Sequence, residues 1–266
     1  MNRAGEQIFW REPPPGRIDI EPSAIDFWRV LLPAHRSRLG LMHELLDDHE
    51  RGRADSFRFE HLRERYILRH GLLRMILSVY LDVAPAEIEL LLHPGGKPHV
   101  RCNSRPHIEF SLSDSDDSAI VAVTGGSPVG VDIEQVRRDR PPFEIVSEFA
   151  PDEQSAIESA ESDRQRTDLL YRIWVRKEAF LKAHGVGLGV ALNSFSVPVS
   201  DPSPGNTWQQ PSLDRDADSC DAFDFDLSND LVGCLVSCGP IGPLRFFDAT
   251  ESWILRTMKS SDKIAT

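Results

Sequence analysis

The chain has 266 residues, of which 40% are hydrophobic and 27% charged, and this composition excludes collagen-like, coiled-coil and disordered proteins. Its formal net charge of -12 argues against nonspecific binding to nucleic acid or anionic lipid, because both need a basic surface. No apolar run is long enough to span a membrane, and residues 1–10 lack the apolar core of a signal peptide. We therefore expect a cytoplasmic monomer without nucleic-acid or membrane partners.

The cysteines give no sign of a metal site or a disulfide framework. The four residues Cys102, Cys220, Cys234 and Cys238 include no CxxC pair, and the last three fall late in the chain. Zinc knuckles and disulfide scaffolds both need closer or more regular spacing than this. We interpret these residues as structural or incidental thiols.

The first half of the chain predicts an irregular arm, a long helix and several short strands. Residues 1–35 are rich in proline and poorly periodic, and only Arg17–Ile20 has the pattern of a strand. Apolar residues at helical spacing from Leu62 predict a helix that ends before Pro85. Strands are then expected around the turn HPGGKP and the polar run Ser113–Asp117, at Glu87–Leu92, His99–Arg101, His107–Ser111 and Ser118–Thr124.

Residues 125–128 (GGSP) form the clearest break, after which the order of elements is similar to that before it. The pattern predicts an α+β fold of two similar lobes, 36–126 and 127–243, each a small and mainly antiparallel sheet packed on a long helix, with a tail over 244–266. In the second lobe we expect strands at Pro128–Val136 and Asn193–Val199, helices at Pro142–Phe149, Asp152–Ser159 and Gln165–His184, a polar loop over Ser200–Ser219, and a hairpin formed by Ala222–Leu227 and Leu231–Ser237.

The motif GVDIE at 130–134 places two carboxylates on one face of a strand. Side chains alternate along a strand, so Val131 and Ile133 point one way while Asp132 and Glu134 point the other. Such a pair repels itself unless a cation lies between its members. The alternative is a solvated outer face of an amphipathic strand.

The helix predicted over Gln165–His184 carries charges where an apolar stripe is expected. Lys177 falls inside the stripe, and Glu178 and Lys182 lie four residues apart along its edge. An ordinary surface ion pair would explain the last two, and a lysine that reaches water with its amine would explain the first. Together with Asp132 and Glu134, these residues supply three hard oxygen ligands and two ammonium groups, which suit a magnesium ion and a diphosphate.

Arginines in the first half indicate an anion site. Seven arginines lie within residues 51–74, and Arg65 and Arg69 project on the side of the long helix that also carries apolar residues. A guanidinium group in that position needs an anion. Either an internal partner, Glu60 or Glu64, or a bound phosphate would supply it.

Two motifs at this spacing carry a family resemblance. GVDIE at 130–134, followed by WVRKEAFLKAHGVGLG at 174–189, resembles the (V/I)G(V/I)D(I/V)E and W-x-x-K-E-A/S-x-x-K signature of the 4'-phosphopantetheinyl transferases. Upstream, GGKP at 95–98, FSLSDS at 110–115 and the arginine-rich helix at 58–74 are similar to further segments of that family in the same order. The resemblance covers about 51–237 and fits the larger, Sfp-type branch, a pseudo-dimer in one chain.

The resemblance implies a function and a set of site residues. The family transfers 4'-phosphopantetheine from coenzyme A to a serine of an apo acyl or peptidyl carrier protein, with Mg2+ as cofactor. In this chain the metal ligands would be Asp132, Glu134 and Glu178, and the catalytic residues Glu178 and Lys182. Coenzyme A would be bound by Arg53, Arg65, Lys97, Pro98, Ser113, Asp114, Lys177 and Lys182, with Arg65 and Lys97 at its adenosine 3'-phosphate. The lobe over 36–126 would then bind the adenosine side and the lobe over 127–243 the metal, while Trp174 would pack in the core.

One residue departs from the family pattern. The serine-histidine-serine of the family is Ser113, Asp114 and Ser115 here, so a carboxylate stands where a histidine would meet phosphate. Two other functions remain open at this point, a magnesium-dependent phosphohydrolase acting on a nucleotide and a noncatalytic module that binds coenzyme A or a carrier protein.

Overall fold

The computed structural model describes residues 8–101, 107–199, 207–210, 213, 220–228 and 230–261. The helices in these residues are α1 (Leu39–Glu44), α2 (Asp48–Asp55), α3 (Glu60–Leu81), α4 (Pro151–Glu158), α5 (Asp163–His184) and α6 (Glu251–Ser261). The strands are β1 (Ile25–Leu31), β2 (Leu90–Leu92), β3 (Pro98–Val100), β4 (Glu109–Ser115), β5 (Ser118–Thr124), β6 (Val129–Gln135), β7 (Thr207–Gln210), β8 (Cys220–Ser228), β9 (Leu231–Ser237) and β10 (Leu244–Asp248). Among these described helices none is both long enough and apolar enough to cross a bilayer.

Two four-stranded sheets form the centre of the molecule. The first has the order β10-β1-β5-β4 and the second the order β6-β9-β8-β7. Their facing sides share one apolar core, in which Phe27 and Ile120 of the first sheet meet Val131, Ile133 and Phe225 of the second. The helices α3 and α5 cover the outer sides, so the layers run helix, sheet, sheet, helix. The predicted α+β class is confirmed.

The first sheet includes segments from both ends of the described chain. β1 pairs antiparallel with β5 and parallel with β10, so Trp28 lies beside Phe247. Trp28 also packs against Trp253 of α6, and both indoles are buried. The expected irregular arm over 1–35 and the tail after 243 therefore contribute a central strand, an edge strand and a core helix to this sheet.

The helix α5 packs very closely on β6. A Cβ atom on Gly130 would lie 1.9 Å from the carbonyl oxygen of Ala179, so only glycine permits this approach. The helix ends at Gly185, whose left-handed φ of 64° closes it. Gly95 of the HPGGKP turn rests against that same end, because its own Cβ would meet the carbonyl oxygen of Gly185. The turn from the first half of the chain is thus fixed to the helix from the second.

Serine hydroxyls join the two sheets along β4 and β6. The backbone N–H groups of Val131, Ile133 and Gln135 point away from β9 and donate to the hydroxyl oxygens of Ser111, Ser113 and Ser115, at 3.0, 3.3 and 2.9 Å. These three serines alternate along β4 and so share one face. The predicted end of this strand at Ser111 is therefore wrong, because the polar run continues the strand and makes these bonds.

Two predicted strands are not strands in the structure. Arg17–Ile20 is not a strand; Ile18 instead donates its N–H to the carbonyl oxygen of Val79 at the end of α3. Asn193–Val199 is irregular after a short 3-10 turn at Leu192–Ser194, since buried charged side chains bond to its backbone in place of a neighbouring strand. The segment predicted as a loop over Ser200–Ser219 contains β7, and its remaining residues except 213 lie outside the described ones.

Candidate active site

The site is built where β6 passes beneath α5. Val131 and Ile133 point into the core between the sheets, so Asp132 and Glu134 face the opposite side, toward the helix. Glu178 and Lys182 lie four residues apart on α5 and project from one face of it. The structure brings these four residues together, as the sequence pattern predicts, although the roles assigned to them remain predictions.

Asp132 is buried and only partly paired. Its Oδ1 atom accepts hydrogen bonds from the Lys182 ammonium at 2.7 Å and from the Ser113 hydroxyl at 2.8 Å. Its Oδ2 atom is equally buried and has no hydrogen-bond partner. A buried carboxylate oxygen without a partner costs on the order of 1–3 kcal/mol, and more when charged, so this atom is a position for a cation or a donor from a ligand.

Glu134 is held by one residue of strand β4 and one residue of helix α5. Its Oε2 atom accepts from Ser115 at 3.1 Å, and its Oε1 atom accepts from the indole N–H of Trp174 at 3.2 Å. Burial raises the pKa of the Glu134 carboxyl, and the charge of Asp132 adds to the rise, against these two hydrogen bonds. Trp174 therefore orients a candidate ligand, a role beyond the core packing predicted for it.

Glu178 and Lys182 complete the cluster with opposite charges. Burial and then the charge of Asp132 raise the pKa of the Glu178 carboxyl, while Lys182 opposes the rise. The Lys182 ammonium donates to Asp132, to the hydroxyl of Ser113 and to the carbonyl oxygen of Val131. Its three protons thus bond to protein oxygens, and it holds Asp132 in place.

These residues fit a hard divalent cation. Three carboxylates lie in one partly buried region, where burial first and then the charge of Asp132 raise the pKa of Glu134 and Glu178. Mg2+ prefers carboxylate oxygens and keeps several waters or phosphate oxygens besides. The unpartnered Oδ2 atom of Asp132 gives such an ion a ligand that no protein group competes for.

Asp114 lies on β4 and faces α3, where it pairs with two arginines. Its carboxylate accepts from Arg65 at 2.9 Å and also bonds to Arg69. The internal anion that these arginines need is therefore neither Glu60 nor Glu64, but a residue 49 positions after Arg65. Asp114 thus lies within β4, in the polar run expected to separate two strands, and its carboxylate is paired.

Lys97 and Arg65 are not brought to the same place. The Lys97 ammonium donates to the carbonyl oxygens of Val129 at 2.9 Å and Ala183 at 3.4 Å, and burial lowers the pKa of its amine. It lies 3.9 Å from Glu109 at the first residue of β4, whereas Arg65 bonds to Asp114 near the last. Five strand residues separate those ends by ~17 Å, so a single phosphate would meet one of the two cations.

The other predicted coenzyme A residues differ in their surroundings. Lys97 lines a cleft of about 690 Å³ with Glu109, Pro128 and His184, and Pro98 directly follows Lys97 as the half-buried first residue of β3. Arg53 is exposed on α2, its guanidinium 5.2 Å from the ring of Phe57. The structure thus gives Lys97 a cleft and leaves Arg53 on the surface.

Lys177 is not in the site, and its predicted contact with phosphate is not supported by its position. Its side chain is completely buried on another face of α5, 2.8 Å from Glu153, and it donates to the carbonyl oxygens of Leu192 and Phe195. The ammonium therefore neither reaches water nor faces Asp132. It fixes the irregular segment after α5 to α4.

Sequence comparison identifies known proteins that are similar to this chain. A family profile described as the 4'-phosphopantetheinyl transferase superfamily matches residues 128–231, which include the four clustered side chains. The chain is 28% identical over 208 residues to the 4'-phosphopantetheinyl transferase HetI of Nostoc, covering 77% of this chain and 86% of that protein. It is 30% identical over 196 residues to a phosphopantetheinyl transferase of Thraustochytrium, with 68% of each covered, and 32% identical over 143 residues to Sfp of Bacillus subtilis, covering 53% and 61%.

Proposed function

The chain belongs to the 4'-phosphopantetheinyl transferase superfamily, and from this premise we propose that it moves the 4'-phosphopantetheine group of coenzyme A to a serine of an apo acyl or peptidyl carrier protein. The second product is 3',5'-ADP. The observation that carries the proposal is the buried Oδ2 atom of Asp132, unpartnered among three carboxylates and next to the ammonium of Lys182. We include in the proposal that the enzyme acts as a cytoplasmic monomer.

Asp132, Glu134 and Glu178 would hold a magnesium ion. Bound there, Mg2+ would neutralise charge on the diphosphate of coenzyme A. Lys182 and Ser113 fix one oxygen of Asp132 and leave the other facing the site. Ser115 and Trp174 each bond to one of the two oxygens of Glu134, so the chain holds both strand carboxylates in one orientation before any substrate binds.

Glu178 is the proposed proton acceptor. The serine oxygen of the carrier protein forms a bond to the β-phosphorus, the bond from that phosphorus to the departing 3',5'-ADP oxygen breaks, and the serine proton moves to Glu178 or to a water that it orients. A raised pKa suits this role, because it brings the affinity of the carboxylate for a proton closer to neutral pH. Lys182 would lower the repulsion between the carboxylates and the incoming phosphates.

The cleft beside Lys97 is the proposed entry for the nucleotide end of coenzyme A. It is bordered by the HPGGKP turn and by the end of α5, and Lys97 supplies positive charge there. Arg65 and Arg69 form a second basic position, where Asp114 offsets one of the two positive charges. Anionic groups of the substrate would thus meet cations on either side of the carboxylate cluster.

Intact-mass analysis of several apo carrier proteins, incubated with the enzyme, coenzyme A and Mg2+, tests the proposal. We expect the carrier to gain the mass of one phosphopantetheine group, and chelation to abolish the gain. Asp132→Asn should reduce the rate by orders of magnitude, since it removes the ligand charge, whereas Glu148→Gln at an exposed position should not. Release of free phosphopantetheine without a carrier would instead identify a phosphohydrolase.

A further inference from the structure

Two cysteines lie side by side at one end of the second sheet, away from the carboxylates. In the register of β8 and β9, Asp221 pairs with Ser237, so Cys220 and Cys238 are the next opposed residues. The N–H of Cys238 points to the other side, where it donates to the carbonyl oxygen of Pro128. Cys220 and Cys238 therefore form a non-hydrogen-bonded pair, for which Cα atoms stand about 4.5 Å apart, within the range that disulfides require.

The sulfur atoms are already in contact. The Cys220 thiol donates to the Cys238 sulfur at 3.0 Å, and both sulfurs lie 3.9 Å from Nε2 of His184. Nδ1 of His184 lies 2.9 Å from the carbonyl oxygen of Phe180, which can only accept, so Nδ1 carries a proton. Nε2 is then the basic nitrogen of the neutral ring, and it faces the two thiols.

The two thiols are not equivalent. The hydrogen bond from Cys220 lowers the pKa of the Cys238 thiol and outweighs its burial, and His184 lowers it further. The same pairing raises the pKa of Cys220. Cys238 is partly exposed whereas Cys220 is buried. Cys238 is thus the more exposed thiol and the one with the lowered pKa, and Cys220 is the thiol behind it.

We propose that Cys220 and Cys238 form a reversible disulfide, in which Cys238 attacks a low-molecular-weight disulfide and Cys220 resolves the mixed disulfide. With glutathione disulfide as the oxidant, the Cys238 thiolate bonds to one glutathione sulfur and expels the other as a thiolate. Cys220 then gives its proton to His184, attacks the Cys238 sulfur and expels the second glutathione. Two protein thiols lose two electrons, and one glutathione disulfide becomes two glutathione thiols.

A metal ion is the competing occupant of this place. In the described part of the chain, one group of three side chains has its possible metal-ligand atoms within 4.8 Å of one another. It consists of His184, Cys220 and Cys238. Two sulfurs on one tetrahedral zinc ion at ~2.3 Å stand about 3.8 Å apart, which is wider than the 3.0 Å found here. The short separation and the directly opposed positions favour a bond between the sulfurs.

The proposal is tested on the full chain by equilibration in glutathione redox buffers without oxygen. We expect the intact mass to fall by two hydrogens as the buffer becomes more oxidising, and peptide mapping to link Cys220 with Cys238. Cys234→Ser should oxidise in the same way, because Cys234 is buried on β9 and lies opposite Asp224 in the strand register, not opposite either member of the pair. Cys220→Ser should instead keep one glutathione on Cys238, since the resolving thiol is missing.

A second measurement uses the wild-type protein, so it tests the proposal even where a variant fails to fold. In the reduced wild-type protein, Cys238 should react with iodoacetamide at least about tenfold faster than Cys234, as its exposure and thiolate character require. A protein that keeps all thiols reduced in the most oxidising buffer, or that links other cysteines, would overturn the proposal. One equivalent of bound zinc that blocks oxidation until it is chelated would also overturn it and assign the three side chains to a metal.

Discussion

At the scale of single residues, Asp114 supplies an internal anion to the two arginines beside it. A histidine there would leave Arg65 and Arg69 without an internal anion, whereas Asp114 pairs with both and offsets one of their two positive charges. Its side chain is 17% exposed, so these pairs are screened from water more than ordinary surface pairs are. A substrate phosphate that approaches these arginines must compete with a carboxylate already bound to them.

Removing that competitor should strengthen the binding of coenzyme A. In Asp114→Asn the side chain keeps its size and loses its charge, so we expect the dissociation constant for coenzyme A to fall several-fold at fixed Mg2+. Calorimetric titration measures it. Asp116→Asn is the matched control. Asp116 lies two residues after Asp114 and pairs with the exposed Arg137. Unchanged affinity in Asp114→Asn would mean that no phosphate reaches these arginines.

The carboxylate cluster predicts a pH dependence of metal binding. Burial, followed by the charge of Asp132, raises the pKa of Glu134 and of Glu178. Each therefore takes up a proton at higher pH than a free glutamate carboxyl, whose pKa is about 4.3. Mg2+ needs the deprotonated forms, and its affinity should therefore fall as the pH is lowered from about 7 to 5. Calorimetric titration of Mg2+ in two buffers of different ionisation enthalpy should detect the release of protons on metal binding. Fewer protons should be released by Glu178→Gln, which lacks one of the two carboxyl groups. Binding that is independent of pH would contradict the cluster as the metal site.

At the scale of elements, α5 serves two purposes on different faces. One face presents Glu178 and Lys182 to β6, and another carries buried cations with buried partners, Lys177 with Glu153 and Arg176 with Asp224. Glu153 in turn accepts from the N–H of Val197, in the segment predicted as a strand. Side-chain charges thus satisfy backbone groups that a sheet would otherwise satisfy.

Removing one member of this network should be costly for stability. Lys177→Met leaves Glu153 charged and buried, and we expect a loss of about 3–5 kcal/mol in the free energy of unfolding. Chemical denaturation measures it, with Arg164→Met on the exposed side of α5 as a control that should change stability by less than ~0.5 kcal/mol. Adding Glu153→Gln to the first variant should recover part of the loss. A loss below about 1 kcal/mol in Lys177→Met would show that the pair is not essential to the fold.

At the scale of the whole molecule, the two sheets are joined by side chains along β4 and β6. The hydroxyls of Ser111, Ser113 and Ser115 substitute for carbonyl groups of a neighbouring strand. Ser113 and Ser115 also bond to Asp132 and Glu134, so the joint between the sheets and the orientation of the carboxylates depend on the same residues. Stability and site geometry are therefore linked at this joint.

Ser111 separates these two roles, because it bonds to the N–H of Val131 and to neither carboxylate in the described contacts. Ser111→Ala should leave that buried N–H unpaired and cost about 1–3 kcal/mol in the free energy of unfolding, with little change in the Michaelis constant for coenzyme A. Denaturation and steady-state kinetics together measure both effects. Ser155→Ala on the exposed face of α4 is the control. An unchanged free energy of unfolding would mean that water replaces the hydroxyl.

The positions of side chains on a strand or helix face can be predicted from local periodicity in the sequence. The ion pairs between residues that are distant in the sequence cannot. Alternation in GVDIE correctly places Asp132 and Glu134 on one face, and helical spacing correctly places Glu178 beside Lys182. The partner of Arg65 could not be inferred, because Asp114 is distant in sequence and lies in a run that looks like a loop. Lys177 likewise has the spacing of a site residue.

The secondary-structure errors have the same cause. Asn193–Val199 has the alternation of a strand, but its carbonyl and N–H groups bond to buried side chains of α4 and α5. The contacts of Trp174 and Ser115 with Glu134 could have been predicted from the sequence. Each side chain has a hydrogen-bond donor and lies within the motifs that hold the predicted ligands or close to them. The pairing of Cys220 with Cys238 follows only from strand register.

The parallel pairing of β1 with β10 has a consequence for synthesis on the ribosome. Arg29 of β1 bonds to Asp248 of β10 at 2.6 Å, and 219 positions separate them in the chain. At 5–20 residues per second, β1 therefore leaves the ribosome roughly 10 to 40 s before the strand that covers its edge. During that interval the nascent protein carries an open strand edge, which is a template for pairing with other chains. Slow translation of the residues between β1 and β10 would prolong the time for which this edge stays open to other chains.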